Sequence, residues 1–285
     1  MANLKEIRNR IVSVSSTMQI TSAMKMVSAA KLKKAQDAIT AMRPYSEKLT
    51  ELIQSLSASL EGDVASEYTT QRDVKKVLVV AITSNRGLCG ALNSNVLKQV
   101  KVLTEKYGHD NVGIFAIGKK ANDGLHKTNY VIANRSDIFD DLTFENTAEI
   151  AQSLTHLFLD GEYDKIELVY NQFVNAATQI VVNEQFLPLA PITGGSTISS
   201  DYIFEPSKEE IVLELIPKSL KTQLYKAVRD SFAAEHGARM TAMHKATDNA
   251  TDLRNQLKLT YNKARQAAIT GEILEIVGGA EALNN

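Results

Sequence analysis

Apolar side chains in the first 60 residues recur at alternating steps of three and four, which predicts one face of a long helix. The stripe keeps a single phase from Leu4 to Leu60. A repeat of about 3.5 residues is typical of a left-handed coiled coil. Pro44 lies inside this run and can kink or break the helix near Arg43. The positions between the two ends are Ile7, Ile11, Val14, Met18, Thr21, Lys25, Ser28, Leu32, Ala35, Ile39, Met42, Ser46, Leu49, Ile53 and Leu56.

A second stripe with the same steps lies near the end of the chain and is rich in small residues, which let two helices approach closely. The segment Ser207–Glu210 has the pattern of a capping box and predicts a short helix that ends at Ile216. Pro217 is then expected to bend the chain or restart the helix. We predict that the N- and C-terminal helices fold back as an antiparallel coiled coil. The second stripe consists of Met243, Ala246, Ala250, Leu253, Leu257, Thr260, Ala264, Ala267, Gly271 and Leu274.

The C-terminal helical run is longer than its partner and is therefore predicted to extend beyond it. Its end is apolar over too wide an arc for a lone helix in water. We expect an apolar collar around this end, supplied by another chain or by self-association. The residues concerned are Ile269, Ile273, Leu274, Ile276 and Val277.

Between the two helical runs, short apolar segments alternate with helical patterns, as in a Rossmann-like sheet. The predicted strands are 76–83, 112–117, 166–173 and 178–186, and the predicted helices are 93–107 and 147–159. The predicted fold class is therefore α/β, with an antiparallel coiled coil of the terminal helices and a Rossmann-like central domain. The predicted domains are 1–60 and 207–285 for the coiled coil and 75–205 for the globular foot.

The residues that follow the first predicted strand lack a phosphate-binding motif. The segment Ser84–Gly90 contains two glycines but no G-x-G-x-x-G, and no G-x-x-x-x-G-K-[ST] occurs in the chain. The five histidines lack metal-ligand spacing. Cys89 is the only cysteine, which excludes an internal disulfide and fits a reducing compartment. We predict no catalytic, cofactor-binding or metal site.

The charge is distributed unevenly along the chain. Residues 1–60 carry a net charge of +5, residues 61–206 carry −7 and residues 207–285 carry +1. A basic helix indicates an acidic partner surface, although a solvated helix face has the same pattern. Two other functions stay open: a module that binds nucleic acid through its basic helix, and an enzyme with a degenerate Rossmann site. A pull-down separates these alternatives.

Several long motifs resemble the gamma subunit of F-type ATP synthases. They occur in the family's order and span the chain. Near Asn85 and Ala91 the sequence departs from the family, which commonly has Asp and Gly there. Because Cys89 is alone, the chain resembles the bacterial type without the regulatory insertion of chloroplast members, and thiol control is not expected. The matching motifs are Gln19–Ala29, Lys31–Gln36, Arg86–Gly90, Ala238–Met243, Ala246–Ala250 and Tyr261–Thr270.

The resemblance implies a non-catalytic rotor shaft inside a hexamer of alpha and beta subunits. Its foot would rest on the epsilon subunit and the c ring, at the cytoplasmic face of a bacterial plasma membrane, as a peripheral protein. Ion flow would turn the ring and the shaft, and the shaft would drive the beta subunits through their binding states. Neither a cofactor nor nucleic acid is implied.

The resemblance also implies contact residues. Met24, Lys25 and Met26 would lie where the shaft meets beta, and Arg239 belongs to the family's A-R-M motif at the same interface. The upper contacts with the hexamer would be Arg265, Gln266, Thr270 and Glu272, and the residues near the c ring and epsilon would be Tyr202, Phe204 and Glu205.

Overall fold

The computed structural model describes residues 4–57, 66–128, 130–189 and 208–283. These residues form six α-helices: α1 Leu4–Ser57, α2 Ser66–Thr69, α3 Leu92–Tyr107, α4 Lys119–Leu125, α5 Phe144–Leu159 and α6 Lys208–Leu283. They also form five strands: β1 Val77–Ile82, β2 Val112–Ile117, β3 Tyr130–Asn134, β4 Lys165–Phe173 and β5 Gln179–Leu187.

Contacts divide the chain into two compact units. The helix-pair unit consists of Met1–Ser28 and Met240–Asn285, and the sheet unit consists of Ala29–Arg239. Helices α1 and α6 each contribute residues to both units.

Helix α1 is continuous for 54 residues and contains Pro44. The predicted stripe is confirmed from Leu4 to Leu49, because every stripe position there is buried or half-buried. The break that Pro44 could cause near Arg43 is not found. A proline removes one backbone hydrogen bond, and the buried Ile39 and Leu49 support the helix on either side of it.

Helix α6 is continuous for 76 residues and begins at Lys208, directly after the predicted capping residue. The prediction that the helix ends at Ile216 and restarts is wrong, because α6 continues through Pro217. Ile216 and Leu220 are both buried, so packing supports the helix before and after the proline.

The sheet has the strand order β3-β2-β1-β4-β5. Strands β1 to β4 pair in parallel with one another, and β5 pairs antiparallel with β4. The predicted Rossmann-like alternation is therefore confirmed. Strand β3 and helix α4 were not predicted, because β3 is short and half-buried and α4 has only seven residues.

Two apolar layers cover the sheet. Val96 and Val100 of α3 pack with β1 and β2 on one side. Leu154 of α5 and Leu224 of α6 pack with β1 and β4 on the other. Because each fully buried aliphatic side chain contributes about 1.5–3 kcal/mol, this arrangement fixes the segment of α6 before Arg239 against the sheet.

In the helix-pair unit, α1 and α6 are antiparallel. Thr21 Oγ1 lies 2.8 Å from Thr247 Oγ1, and Met18 Sδ accepts a hydrogen bond from Thr251 Oγ1 at 3.3 Å. Lys25 Nζ lies 3.3 Å from His244 Nδ1. Residue numbers therefore fall along α6 as they rise along α1, as the antiparallel prediction requires.

The predicted stripe on α6 is partly wrong. Leu253 is 39% exposed and Thr260 is exposed, whereas their neighbours Arg254 and Tyr261 are half-buried. Arg254 Nη1 lies 3.6 Å from Met18 Sδ. The long, half-buried side chain of Arg254 thus contacts α1 where Leu253 was expected, so hydrophobicity alone selected the wrong neighbour.

Among the described helices, none is both long and apolar enough to cross a membrane.

Candidate functional site

The loop after β1 is held by a small polar cluster. Ser84 Oγ donates to the carbonyl of Arg86 at 2.6 Å, and Asn93 Nδ2 lies 2.8 Å from Ser84 Oγ. The same amide donates to Cys89 Sγ at 3.2 Å. Cys89 is buried, so its thiol is a structural acceptor rather than an accessible nucleophile.

A buried arginine of α6 holds the tip of this loop. Arg239 Nη2 donates to the carbonyl oxygens of Arg86 and Gly87 at 3.0 and 3.2 Å. Its Nη1 pairs with Glu235 Oε1 at 2.6 Å. Leu88, at the tip, adopts a left-handed φ of 62° and is 65% exposed. The backbone of the loop is thus held by the buried Arg239, while the side chain of Leu88 faces solvent.

The Glu235 carboxylate is buried beside this guanidinium. Burial raises the pKa of Glu235, because it penalises the charged form more than the nearby Arg239, Lys31 and Arg86 favour it. Its hydrogen bond to Arg239 keeps the carboxyl group from being an unpaired buried polar group.

Gly237 brings α6 against the next loop of the sheet. A Cβ built on Gly237 would lie 3.3 Å from the Cα of Ala176 and 3.3 Å from Cε2 of Phe173. Phe173 ends β4, and Ala176 lies in the connection to β5. The absence of a side chain therefore lets the helix backbone rest directly on this connection.

These contacts occupy the place where open α/β sheets usually bind ligands. The strand order reverses between β1 and β4, and ligands of such sheets bind outside the carboxyl ends of the strands at this reversal. Here Arg239 contacts the loop after β1 and Gly237 contacts the loop after β4. The chain's own helix fills the crevice.

His236 directly precedes Gly237 in α6 and is 5% exposed. Its ring meets Phe232 edge-on at a centroid distance of 4.5 Å, and neither ring nitrogen has a hydrogen-bond partner among the described residues. Burial, with the positive charges of Arg239 and Lys31, lowers the pKa of His236 to about 4. The imidazole is therefore neutral at physiological pH.

Sequence reasoning missed the contributions of Glu235, His236 and Gly237. Two signals were available in the sequence. A glycine inside a long helix is unfavourable by about 1 kcal/mol relative to alanine, so Gly237 indicates a close contact. Glu235 and Arg239 are four residues apart, the spacing of a side-chain pair on one helix face.

The predicted beta-contact residues of α1 lie in the helix-pair unit. Met24 and Lys25 are half-buried, and Lys25 reaches His244 on α6. Met26 is 65% exposed. Val27 and Ile20 are also exposed, so this part of α1 turns apolar groups away from α6, as the faltering stripe indicated.

The structure does not bring these residues together with the predicted upper contacts. From His244, the partner of Lys25, to Gln266 is 22 residues along α6, which corresponds to about 33 Å. The other predicted residue of the group, Arg239, lies in the sheet unit. The upper contacts are all exposed: Arg265, Gln266, Thr270 and Glu272.

The end of α6 exposes an apolar surface. Five large apolar side chains between residues 269 and 277 are each at least 49% exposed. The pairing of Thr21 with Thr247 and of Met18 with Thr251 places Leu4, the first described residue of α1, opposite about residue 265 of α6. The exposed apolar surface begins shortly after that position. The five residues are those predicted from the sequence: Ile269, Ile273, Leu274, Ile276 and Val277.

Tyr202, Phe204 and Glu205, the residues predicted to lie near the c ring and epsilon, fall outside the described residues. Within the four described ranges, no group of three or more His, Cys, Asp or Glu side chains is arranged to hold a metal ion.

Comparison with known proteins decides the family. The family model described as ATP synthase matches residues 3–283. The ATP synthase gamma chain of Flavobacterium johnsoniae is 78% identical over 285 residues, which is all of both chains. The chain belongs to the ATP synthase gamma-chain family. The predicted family is thus confirmed, and gamma chains are non-catalytic subunits of that complex.

Two solved structures share the fold. One is from the central stalk and c-ring structure of Tetrahymena thermophila mitochondrial ATP synthase, with a TM-score of 0.61 and 25% identity over 80% of this chain and 99% of that chain. The other is from Euglena gracilis mitochondrial ATP synthase, with a TM-score of 0.73 and 24% identity over 98% of this chain and 94% of that chain.

Proposed function

We propose that the chain is the central rotor shaft of an F-type ATP synthase. It turns inside a hexamer of alpha and beta subunits, and its rotation couples ion flow through a membrane c ring to the binding changes of the catalytic beta subunits. Residues 75–205 act as the foot on the epsilon subunit and the c ring, and residues 1–60 and 207–285 act as the shaft.

The observation that carries this proposal is the antiparallel helix pair with apolar surface left exposed at the end of α6. Exposing such surface to water is unfavourable, so we expect other chains to cover this end of the helix as a collar. In a gamma chain, the apolar bearing at the far end of the hexamer supplies that collar.

Each group of predicted contact residues has a place in this scheme. Met24, Lys25 and Met26 face beta at the lower part of the pair. About 33 Å further along α6, Arg265, Gln266, Thr270 and Glu272 face the upper part of the hexamer. The c-ring side of the foot includes Tyr202, Phe204 and Glu205. Basic side chains of the shaft attract acidic loops of beta at long range.

The chain acts at the cytoplasmic face of the bacterial plasma membrane, as a peripheral protein held by its partners. The titratable and apolar groups described above assemble no catalytic set, so the proposed role is mechanical.

Rotation of a labelled complex tests the proposal. The chain is purified with alpha and beta, the hexamer is fixed to a surface, and a bead is attached to Lys101→Cys on α3, an exposed position. MgATP is expected to drive rotation in one direction with three pauses per turn. An assembled complex that hydrolyses ATP while the bead only fluctuates would contradict the proposal.

A pull-down from the parent cells addresses the alternatives. Alpha, beta and epsilon chains are expected to bind the tagged chain. Recovery of nucleic acid without these chains would instead support a module that binds through the basic helix.

A further inference from the structure

Within five residues, α6 contacts the loops that follow two neighbouring parallel strands. Arg239 holds the carbonyl oxygens of Arg86 and Gly87 after β1. Two residues earlier, Gly237 lies so close to Ala176 in the loop after β4 that a Cβ built on it would be 3.3 Å from the Cα of Ala176. The helix is therefore fixed at two separate points on one edge of the sheet.

The apolar residues around these contacts resist rotation of the helix poorly. Ala233, Ala234 and Ala238 are buried, but their short side chains form shallow ridges. Hydrophobic burial is also non-directional. It therefore fixes the distance between the helix and the sheet better than it fixes the rotation of the helix about its own axis.

The guanidinium of Arg239 makes directional contacts that fix the rotation of α6 about its axis. Its planar, rigid donors reach two loop carbonyls, and Glu235 holds the opposite side of the group at 2.6 Å. A rotation of α6 about its axis would break these charge-assisted bonds inside a buried site, where unpaired groups are costly.

We propose that the Glu235–Arg239 segment is the clamp that fixes the sheet unit to α6 and passes torque into the helix, which continues from Arg239 to Leu283. Arg239 is then a positioning residue inside the chain, in place of the contact with beta that the family motif indicated. The transmission of torque by this clamp rests on the proposed rotor function. The attachment of α6 to the sheet unit does not depend on that function.

Hydrogen exchange in the full chain tests the structural part. Arg239→Lys and Arg239→Gln are compared with Lys245→Gln, an exposed cation of the same helix. Hydrogen bonds to charged groups change opening equilibria by about tenfold or more. We expect the amides of Ser84 and Asn95, which are bonded within the loop region, to exchange at least about tenfold faster in the Arg239 variants only.

Equal exchange in all four proteins would overturn the clamp. Failure of both Arg239 variants to fold would also overturn it, because Arg239 would then be needed for the core rather than for fixing the helix in a folded chain.

Single-molecule rotation tests the mechanical part. With the bead on Lys101→Cys, the angular spread of the bead during pauses is expected to widen in Arg239→Lys and to stay unchanged in Lys245→Gln. Altered pause lengths with an unchanged spread would assign Arg239 to a contact with beta and would overturn the proposal. A wild-type complex that does not rotate would contradict the rotor function alone, and the exchange result would still stand.

Discussion

The sheet unit and the helix-pair unit bury their apolar residues to different extents. All six residues of β1 are fully buried, and two apolar layers cover the sheet. In the helix pair, most contact positions are only half-buried, and the cross-helix hydrogen bonds join threonine, methionine, arginine, lysine and histidine side chains. Since stability follows buried apolar area, the sheet unit holds itself together, whereas the pair depends on what surrounds it.

This difference accords with separate tasks. A foot that passes torque must keep its shape without help. A shaft that turns against other chains needs a surface that they complete, and half-buried seams with exposed apolar ends provide one.

The largest expected effect comes from charge placed in the sheet unit. Ile39→Lys should lower the free energy of unfolding of the full chain by about 3–5 kcal/mol, because an unpaired charge would replace a buried side chain. Gln36→Lys, at an exposed position of the same helix, should change it by less than about 0.5 kcal/mol. Denaturant unfolding measures both.

Leu253→Glu sharpens this comparison. Although the sequence pattern placed Leu253 on the seam, its 39% exposure leads us to expect a loss of no more than about 1 kcal/mol. A loss as large as that of Ile39→Lys would mean that the sequence-based seam is right and the observed register is wrong.

An effect smaller than that of Ile39→Lys is expected when the pH is lowered. The folded-state pKa of His236 is lowered to about 4, so the unfolded chain binds more protons between about pH 6.5 and 4. The stability contributed by neutral His236 is present above about pH 6.5 and is lost as the pH falls towards 4. Between pH 7 and 5 this should remove about 2 kcal/mol from the free energy of unfolding.

Unfolding titrations of wild type and His236→Leu at pH 7 and 5 measure this loss. The variant should lack the His236 part of the fall, and the exposed His109→Gln should retain it. Identical pH dependence in wild type and His236→Leu would contradict a buried, neutral imidazole.

Met24→Lys should affect function rather than stability. Met24 lies off the seam, so we expect unfolding to change by less than about 0.5 kcal/mol and the complex to assemble. A second cation beside Lys25 would strengthen attachment to an acidic loop of beta and hold the shaft at one angle. ATP hydrolysis measured with ion pumping in vesicles should show fewer ions pumped per ATP. Unchanged pumping, or loss of assembly, would refute this account.

The smallest expected signal concerns ATP itself. The isolated chain should show no heat of MgATP binding and no hydrolysis, because it lacks a phosphate-binding loop and α6 fills the crevice of the sheet. Micromolar binding by calorimetry, in protein free of beta, would contradict this.

The spacing of apolar residues along the chain predicted much of the secondary structure. The stripe of α1 and the strands β1, β2, β4 and β5 follow from apolar spacing and composition. The seam of α6 did not, because the half-buried Arg254 contacts Met18 of α1 whereas Leu253 is 39% exposed. A hydropathy scale cannot predict which of these two residues faces α1, because that depends on the position of Met18 in the folded chain.

The contacts of Arg239 with the loop after β1 could not be predicted from the sequence either. The A-R-M motif marked Arg239 as important, but a motif does not state which atoms the guanidinium meets. Its partners are main-chain carbonyl oxygens, which every residue has, so the side-chain identities of Arg86 and Gly87 carry no signal of the bond.

The distance along the chain between these partners has a consequence for biosynthesis. Arg239 and Arg86 are 153 residues apart, and Thr21 and Thr247 are 226 residues apart. Since the N-terminal part of a chain leaves the ribosome first, the strands can pair while the loop after β1 still waits for its arginine. The part of α1 up to Ser28 must wait longer, because its partners on α6 follow Arg239 in the chain. The nascent chain is therefore prone to aggregation for as long as the apolar stripe of α1 lacks its partner helix.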